Sequence, residues 1–248
     1  MVSRALILAA GKGTRLAPLT EYIPKELIEI DGKAVIESLV ESILSAGISE
    51  IQIVISPIKY SIVRCLGSGS KYGAEITYRV QEEPLGTADA VARCREFVGG
   101  ESFLVAYGDT YLQDSDALRR LIDVFEKKKV DFALLVQRIL DPDDFGLVKL
   151  DKKDNIISLI EKPDPVQAAQ YKTGDDYLAI RGFLSLKSNI MPFITDTQPG
   201  KNGERWLTDS LKKALLKGYQ GVVHVSDSNI FDIGTPDVLK ELEFLTRK

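Results

Sequence analysis

The chain opens on an apolar run. Arg4 to Ala10 is almost uninterruptedly apolar, as in a central parallel strand covered on both faces. Apolar residues then recur at 35, 36, 39, 40, 43 and 44, which predicts a helix from Val35 to Ala46 stopped by Gly47. Ile51 to Ile55 reads as a strand, Ile58 to Leu66 as a short helix ending in Gly67, and Glu75 to Val80 as an alternating strand. Thr87 to Phe97 has helical spacing with Thr87 placed to cap it. Phe103 to Tyr107 is another apolar strand, closed by Gly108-Asp109. Asp116 to Lys128 is a helix with its lysines at the C-terminal end, where the helix dipole favours them.

Strand and helix thus alternate through the first half, which predicts parallel strands joined by right-handed crossovers. After Asp131 the pattern changes to strands separated by turns: Phe132 to Ile139, Gly146 to Leu150, Ile156 to Glu161 and Tyr177 to Leu186. Asn202-Gly203 marks a loop before a helix from about Trp206 to Leu216. Val222 to Val225 is a strand, and Thr235 to Leu245 a closing helix with Pro236 in its first turn. With no internal repeat, low-complexity tract or linker, residues 1–248 read as one domain, with halves at 1–130 and 131–248. The expected fold class is α/β: a Rossmann-like, mostly parallel mixed sheet flanked by helices, with an extra small lobe.

One stretch breaks the alternation. From Gly11 to about Lys33 no clear periodicity exists, and a loop of roughly 20 residues in a compact domain is functional or disordered. It follows Leu6-Ile-Leu-Ala-Ala-Gly-Lys-Gly-Thr-Arg-Leu16, an apolar strand running into a glycine-rich turn. Such a turn lets backbone N–H groups approach a phosphate chain, and an arginine adds an always-charged donor fork. The stretch lacks the Gly-Lys-Ser/Thr of a P-loop and has Leu16 where a dinucleotide fingerprint needs a third small residue. A different phosphate loop remains, with Arg15 and Lys25 as charged donors.

Composition narrows the partners. A net charge of −4 over 248 residues gives no electrostatic footprint for nucleic acid. No apolar run approaches the roughly 18 residues needed to span a bilayer, and no basic-then-apolar leader precedes the first strand. A cytoplasmic location is the expectation. Cys65 and Cys94 are the only cysteines, without metal-ligand spacing, and His224 is the only histidine. That excludes two-histidine zinc sites and disfavours a Ser/His triad, leaving His224 a structural role in its strand.

Acids at strand ends are the other chemical signal. Asp109 closes one strand and Asp232 lies in Phe231-Asp-Ile-Gly-Thr-Pro236, between a strand and the last helix. Ligands of open α/β sheets gather beyond the carboxyl ends of strands, where two carboxylates could take Mg²⁺ together with substrate phosphates. Either acid alone reads equally as a turn former or helix cap. Glu161-Lys162-Pro163 leaves an acid and a base at another strand's rim. Gln81 and Gly86-Thr87 could form an edge that hydrogen-bonds a base, since an amide offers both donor and acceptor.

Taken in order, these segments resemble the sugar-1-phosphate nucleotidyltransferases. The resemblance runs through Leu8-Ala-Ala-Gly-Lys-Gly-Thr-Arg-Leu16, Pro24-Lys25, Gln81, Gly86-Thr87-Ala88, Gly108-Asp109, Phe145-Gly146, Glu161-Lys162-Pro163, Thr208-Asp209 and Asp232-x-Gly-Thr-Pro236. The layout is similar to short glucose-1-phosphate thymidylyltransferases, while Pro24-Lys-Glu26 and Ala10 look more like the uridylyltransferases. The resemblance implies that Leu8, Ala10, Gly11, Gly13, Thr14 and Arg15 hold a nucleoside triphosphate. Gln81 and Gly86, with Thr87 beside them, would read a pyrimidine edge, Gly86 allowing close backbone approach. Gly146, Glu161 and Lys162 would hold a sugar 1-phosphate, Lys25 would neutralise the reacting phosphates, and Asp109 and Asp232 would bind Mg²⁺. Arg15, Lys25, Asp109 and Lys162 are then the catalytic set.

One departure stands out. The thymidylyl enzymes usually read Tyr-Ala-Val-Thr-Gly where this chain has Leu178-Ala-Ile-Arg-Gly182, so Arg181 leaves the sugar open. The chain also ends before the acyltransferase β-helix of the bifunctional relatives, so acetyl transfer is not expected. The implied activity joins a nucleoside triphosphate, UTP or dTTP, to a sugar 1-phosphate such as glucose 1-phosphate, with Mg²⁺. Alternatives are a cytidylyltransferase for a sugar or polyol phosphate, a non-catalytic sugar-nucleotide sensor, and a dinucleotide-dependent oxidoreductase. Oligomeric state stays open, although related enzymes are often dimers or tetramers.

Overall fold

A computed structural model describes residues 1–200 and 203–246; Asn202, of the turn signal above, lies outside the described residues. Thirteen strands are numbered in chain order among these residues. They are β1 (Val2–Ala9), β2 (Glu29–Ile30), β3 (Lys33–Ala34), β4 (Glu50–Ile55), β5 (Glu75–Val80), β6 (Ser102–Tyr107) and β7 (Thr110–Leu112). The second half supplies β8 (Phe132–Ile139), β9 (Gly146–Leu150), β10 (Ile156–Glu161), β11 (Tyr177–Leu186), β12 (Gly221–Val225) and β13 (Ile230–Asp232).

The main sheet runs β10-β9-β11-β6-β1-β4-β5, with β8 pairing β11 and β12 pairing β8. Strands β5, β4, β1 and β6 are mutually parallel. Strand β11 enters antiparallel to β6 and turns the sheet mixed. This is the expected α/β architecture. Residues of β1 alternate between the two sides: Ala5, Ile7 and Ala9 join one core, Leu6 the other. Helices Val35–Ser45 and Ala117–Lys128 cover the first face, and Thr87–Ala92 and Leu207–Leu216 the second. Each large apolar side chain fully buried between these layers contributes about 1.5–3 kcal/mol.

The site is made where this sheet is interrupted. β11 pairs with β6 at Phe183 to Leu186 and with β9 at Leu178 and Ala179. Its register against β8 shifts between Ile180 and Leu184, at the bulge formed by Arg181 and Gly182. Gly182 adopts a φ of +73°, and a Cβ there would meet Thr110 Oγ1 at 3.0 Å and Tyr107 Cβ at 3.1 Å. Beyond the end of β6 the chain leaves the sheet at Gly108-Asp109 and forms β7, which pairs with β13 in a separate ribbon.

Several expectations shift. Gly11 to Lys33 has short local structure: 3-10 turns at Thr14–Leu16 and Lys25–Leu27, a single helical turn at Leu19–Tyr22, and the β2–β3 ribbon. Turns of three residues closed by bonds such as Leu27 N–H to Pro24 O (2.8 Å) are too short to leave a period. The helix expected from Thr87 to Phe97 breaks after Ala92 and resumes at Arg95–Val98. Thr87 does not cap it, because Gly86 holds that position and the Thr87 hydroxyl accepts from Leu207 N–H at 3.0 Å. The short helix expected from Ile58 begins at Tyr60. Pro165–Ala169 forms an unexpected helix, although Asp164 and Gln167 supply a reciprocal capping box legible in the sequence. Both cysteines are free.

Leu16 explains why this loop departs from a dinucleotide fingerprint. It is buried in a small core with Ile30, Val35, Phe231, Ile233 and Leu242. The glycine turn is thereby nailed to β13 and the helix Pro236–Thr246, which brings Arg15 beside Gly234.

Candidate active site

Two adjoining cavities lie along the carboxyl ends of the parallel strands, as an open α/β sheet directs. The larger, of about 440 Å³, is lined by Leu8, Ala10, Gly11, Gly13, Thr14, Arg15, Lys25, Gln81, Gly86, Thr87, Asp109 and Lys162. The smaller, of about 120 Å³, is lined by Gly146, Glu161, Lys162, Thr208, Arg181 and Asp232. Arg15, Tyr107, Lys162 and Trp206 face both. Every candidate site residue read from the sequence therefore borders one continuous cleft, and the three cations Arg15, Lys25 and Lys162 share its larger part.

The glycine turn forms one wall. Gly13 has a φ of +69°, which a side chain would strain, and the Thr20 hydroxyl fixes its carbonyl at 2.8 Å. A Cβ on Gly11 would meet nothing within 4 Å, so backbone is presented to open space. Arg15 is half-exposed and pairs with Asp144 at 2.6 Å.

At the opposite wall the Gln81 amide is pinned. Its nitrogen donates to Asp89 Oδ2 at 2.8 Å and to the Gly86 carbonyl at 3.2 Å, using both hydrogens. Asp89 is held in turn by Arg93 at 2.7 Å. Two acceptors around one end fix the amide's orientation, so the Gln81 oxygen is the atom left for a ligand. Gly86 has a different structural task from the one expected: a Cβ there would lie 2.4 Å from the Arg205 carbonyl. The glycine admits the backbone of Arg205, whose N–H bonds Leu85 O at 2.8 Å.

The floor is a line of charges. Lys25 pairs with Asp109. Burial lowers the Lys25 pKa, but the charge and hydrogen bond of Asp109 outweigh it, so the net direction is upward and the ammonium persists. Asp232 follows: its carboxyl is pushed up to about 6, first by burial and then by the neighbouring Asp109. Arg181 lies beyond, its own pKa lowered by burial and raised by Asp232. Its guanidinium stacks on Phe145, 4.7 Å from the ring centre, and donates to the Ile230 carbonyl. On the other side of Lys25, Glu26 meets Lys59 at 2.6 and 2.8 Å.

Two like charges, Asp109 and Asp232, thus adjoin in a desolvated floor. No cluster of three or more His, Cys, Asp or Glu exists among the described residues. A pair of carboxylates without imidazole or thiolate suits a hard cation that keeps substrate oxygens in its shell, as Mg²⁺ does.

In the smaller cavity, Glu161 accepts from the Thr208 hydroxyl. Desolvation pushes its carboxyl up, opposed by that bond and by Lys162. A Cβ on Gly146 would stand 2.9 Å from Glu161 Oε2, so only glycine leaves that carboxylate its place. Lys162 reaches over the Trp206 ring, its Nζ 4.6 Å from the ring centre.

Sequence reading missed Tyr107, Trp206, Asp144 and the Glu26–Lys59 pair. Tyr107 ends a strand that was correctly read, and a strand-end position beside Asp109 was its available signal. No local pattern marks the others.

Comparison with known proteins follows the same order of motifs. The nucleotidyl transferase family matches residues 4–247. A low-salt glycan biosynthesis nucleotidyltransferase of Haloferax volcanii is 33% identical over 96% of this chain and 64% of its own length. A glucose-1-phosphate thymidylyltransferase of Streptomyces griseus is 31% identical over 87% of this chain and 58% of its own. The chain therefore spans about three fifths of these relatives. A crystal structure of a candidate glucose-1-phosphate thymidylyltransferase from Bacillus anthracis, in complex with sucrose, has a TM-score of 0.86 at 28% identity. It covers 100% of this chain and 96% of that one. None of the described helices is long and apolar enough to cross a membrane.

Proposed function

The chain belongs to the sugar-1-phosphate nucleotidyltransferase family, and from that premise we propose that it joins a nucleoside triphosphate, UTP or dTTP, to a sugar 1-phosphate. Glucose 1-phosphate is the first candidate, and the products are an NDP-sugar and pyrophosphate. A sugar-phosphate oxygen attacks the α-phosphorus in line, forming one P–O bond as the bond to pyrophosphate breaks. No protein nucleophile is required, so the chemistry rests on alignment and charge neutralisation.

One observation carries the reading: Arg15 and Lys162 border both cavities, and Lys25 and Asp109 lie in the same cleft. Two anions brought together there repel, and the three cations oppose that repulsion. Arg15 and the backbone of Gly11 to Thr14 would grip the triphosphate. Lys25, kept protonated by Asp109, would face the α-phosphate. Lys162 would hold the sugar phosphate, with Glu161 accepting from sugar hydroxyls. Mg²⁺, held by Asp109 and Asp232, would supply charge neutralisation between the two phosphates.

The base follows from Gln81. With its nitrogen satisfied by Asp89 and Gly86, its oxygen needs a donor, which uracil and thymine provide at N3–H and cytosine does not. This supports UTP and dTTP over CTP and disfavours the cytidylyltransferase alternative. Intact Arg15, Lys25 and Lys162 disfavour a sensor without turnover.

The deciding experiment measures pyrophosphate release over five nucleoside triphosphates and several sugar 1-phosphates with Mg²⁺. Release with UTP or dTTP and glucose 1-phosphate is expected. No release with any pair, alongside tight binding of an NDP-sugar, establishes the sensor instead.

A further inference from the structure

The Lys25–Leu27 turn hangs in a segment without long regular elements, yet the proposed reaction needs the Lys25 ammonium held at one place. Its neighbour Glu26 is only 1% exposed and Lys59 only 4%. Both Glu26 oxygens meet Lys59 Nζ, at 2.6 and 2.8 Å, across a separation of 33 residues. Lys59 comes from the connection that follows β4, and its N–H bonds the Ser56 carbonyl at 3.0 Å. A buried ion pair is a poor source of stability, because desolvation offsets most of the attraction. Its position suggests a different use.

Glu26 also borders the nucleotide cleft and lies close enough to Lys25 to act on its charge. Without Lys59, the nearest cation able to compensate the buried carboxylate would be Lys25. We infer that Lys59 is a positioning residue that occupies Glu26, so that Lys25 stays directed at Asp109 and at the reacting phosphate. This inference rests on the proposed role of Lys25. The floor then alternates Lys59, Glu26, Lys25, Asp109, and the turn is tied to the end of the sheet through the pair rather than through local structure.

The test is a set of variants assayed at 25 °C, with folding checked by circular dichroism. Lys59→Met should lower kcat about 30-fold while the KM for the nucleoside triphosphate changes less than about threefold, since the glycine turn and Gln81 still bind it. Lys59→Arg, which keeps the charge, should restore most of kcat. Glu26→Leu combined with Lys59→Met removes the competing carboxylate with its partner and should recover kcat to within about fivefold of the parent. A purely structural pair would lower the melting temperature in Lys59→Met without this split and without recovery of turnover in the double variant. Wild-type kcat in Lys59→Met, or a double variant no faster than the single one, overturns the inference. If Lys25→Ala itself turns over normally, the reading of Lys25 fails first. A crippled Lys25→Ala beside an unaffected Lys59→Met refutes only the role of Lys59.

Discussion

Asp109 and Asp232 are joined through the backbone: the Asp109 carbonyl accepts from Ile233 N–H at 2.8 Å, and Asp232 pairs in register with Thr110. A ribbon of two three-residue strands therefore sets two acids side by side at the floor of the cleft. Like charges held together after desolvation favour a cation between them, and burial with Asp109 already raises the Asp232 carboxyl to about 6.

Asp109→Asn and Asp232→Asn should each raise the Mg²⁺ concentration for half-maximal pyrophosphate release by about tenfold or more, in line with lost or weakened ligation. Unchanged magnesium titrations in both variants would remove the pair as the metal site.

Lys25→Ala should reduce kcat by about 10²–10³, the usual effect of losing one charged stabiliser of the transition state. Far-ultraviolet circular dichroism should be unchanged, because Lys25 sits at the cleft wall and belongs to none of the apolar cores. Parent kinetics would refute its role.

Asp89→Asn should loosen the Gln81 amide, since an asparagine at 89 can donate to the Gln81 oxygen and turn it around. The preference for UTP over CTP in kcat/KM should then fall about tenfold or more, as expected when a hydrogen bond to a charged partner is exchanged. Competition assays with both nucleotides measure the ratio, and an unaltered preference rules out the Gln81 oxygen as the base reader.

Glu37 predicts part of the acid limb of stability. The Tyr72 hydroxyl, Lys71 at 3.2 Å and Ala34 N–H at 3.2 Å hold its carboxyl below the ordinary value. A depressed folded pKa contributes stability above the unfolded value near 4.5, and that contribution is lost as pH falls through the folded pKa. Glu37→Gln should therefore flatten the melting temperature against pH below about pH 5. An acid limb identical to the parent's would contradict it.

Much of this was legible before any coordinates. Strands Gly146–Leu150, Ile156–Glu161 and Tyr177–Leu186 match their expected limits, because apolar residues facing a core leave a period that flanking turns interrupt. The glycine turn, Lys25, Gln81, Asp109, Lys162 and Asp232 were legible as candidates because each sits at the end of such an element or in an aperiodic stretch. The β7–β13 ribbon was not: strands of three residues are too short for a period, and their partner lies in the other half of the chain.

Local order along the chain determined the layered sheet, the phosphate-loop turn and the types of side chain available for two anions, since strand and helix periodicities and strand-end positions are properties of neighbouring residues. Only the tertiary structure decided which charges meet. It pinned the Gln81 nitrogen to Asp89, set Asp232 beside Asp109, laid Lys162 over Trp206 and closed Lys59 on Glu26. The physical reason is that electrostatic and hydrogen-bond partners are chosen by distance in space after burial, and a sequence carries no measure of that distance.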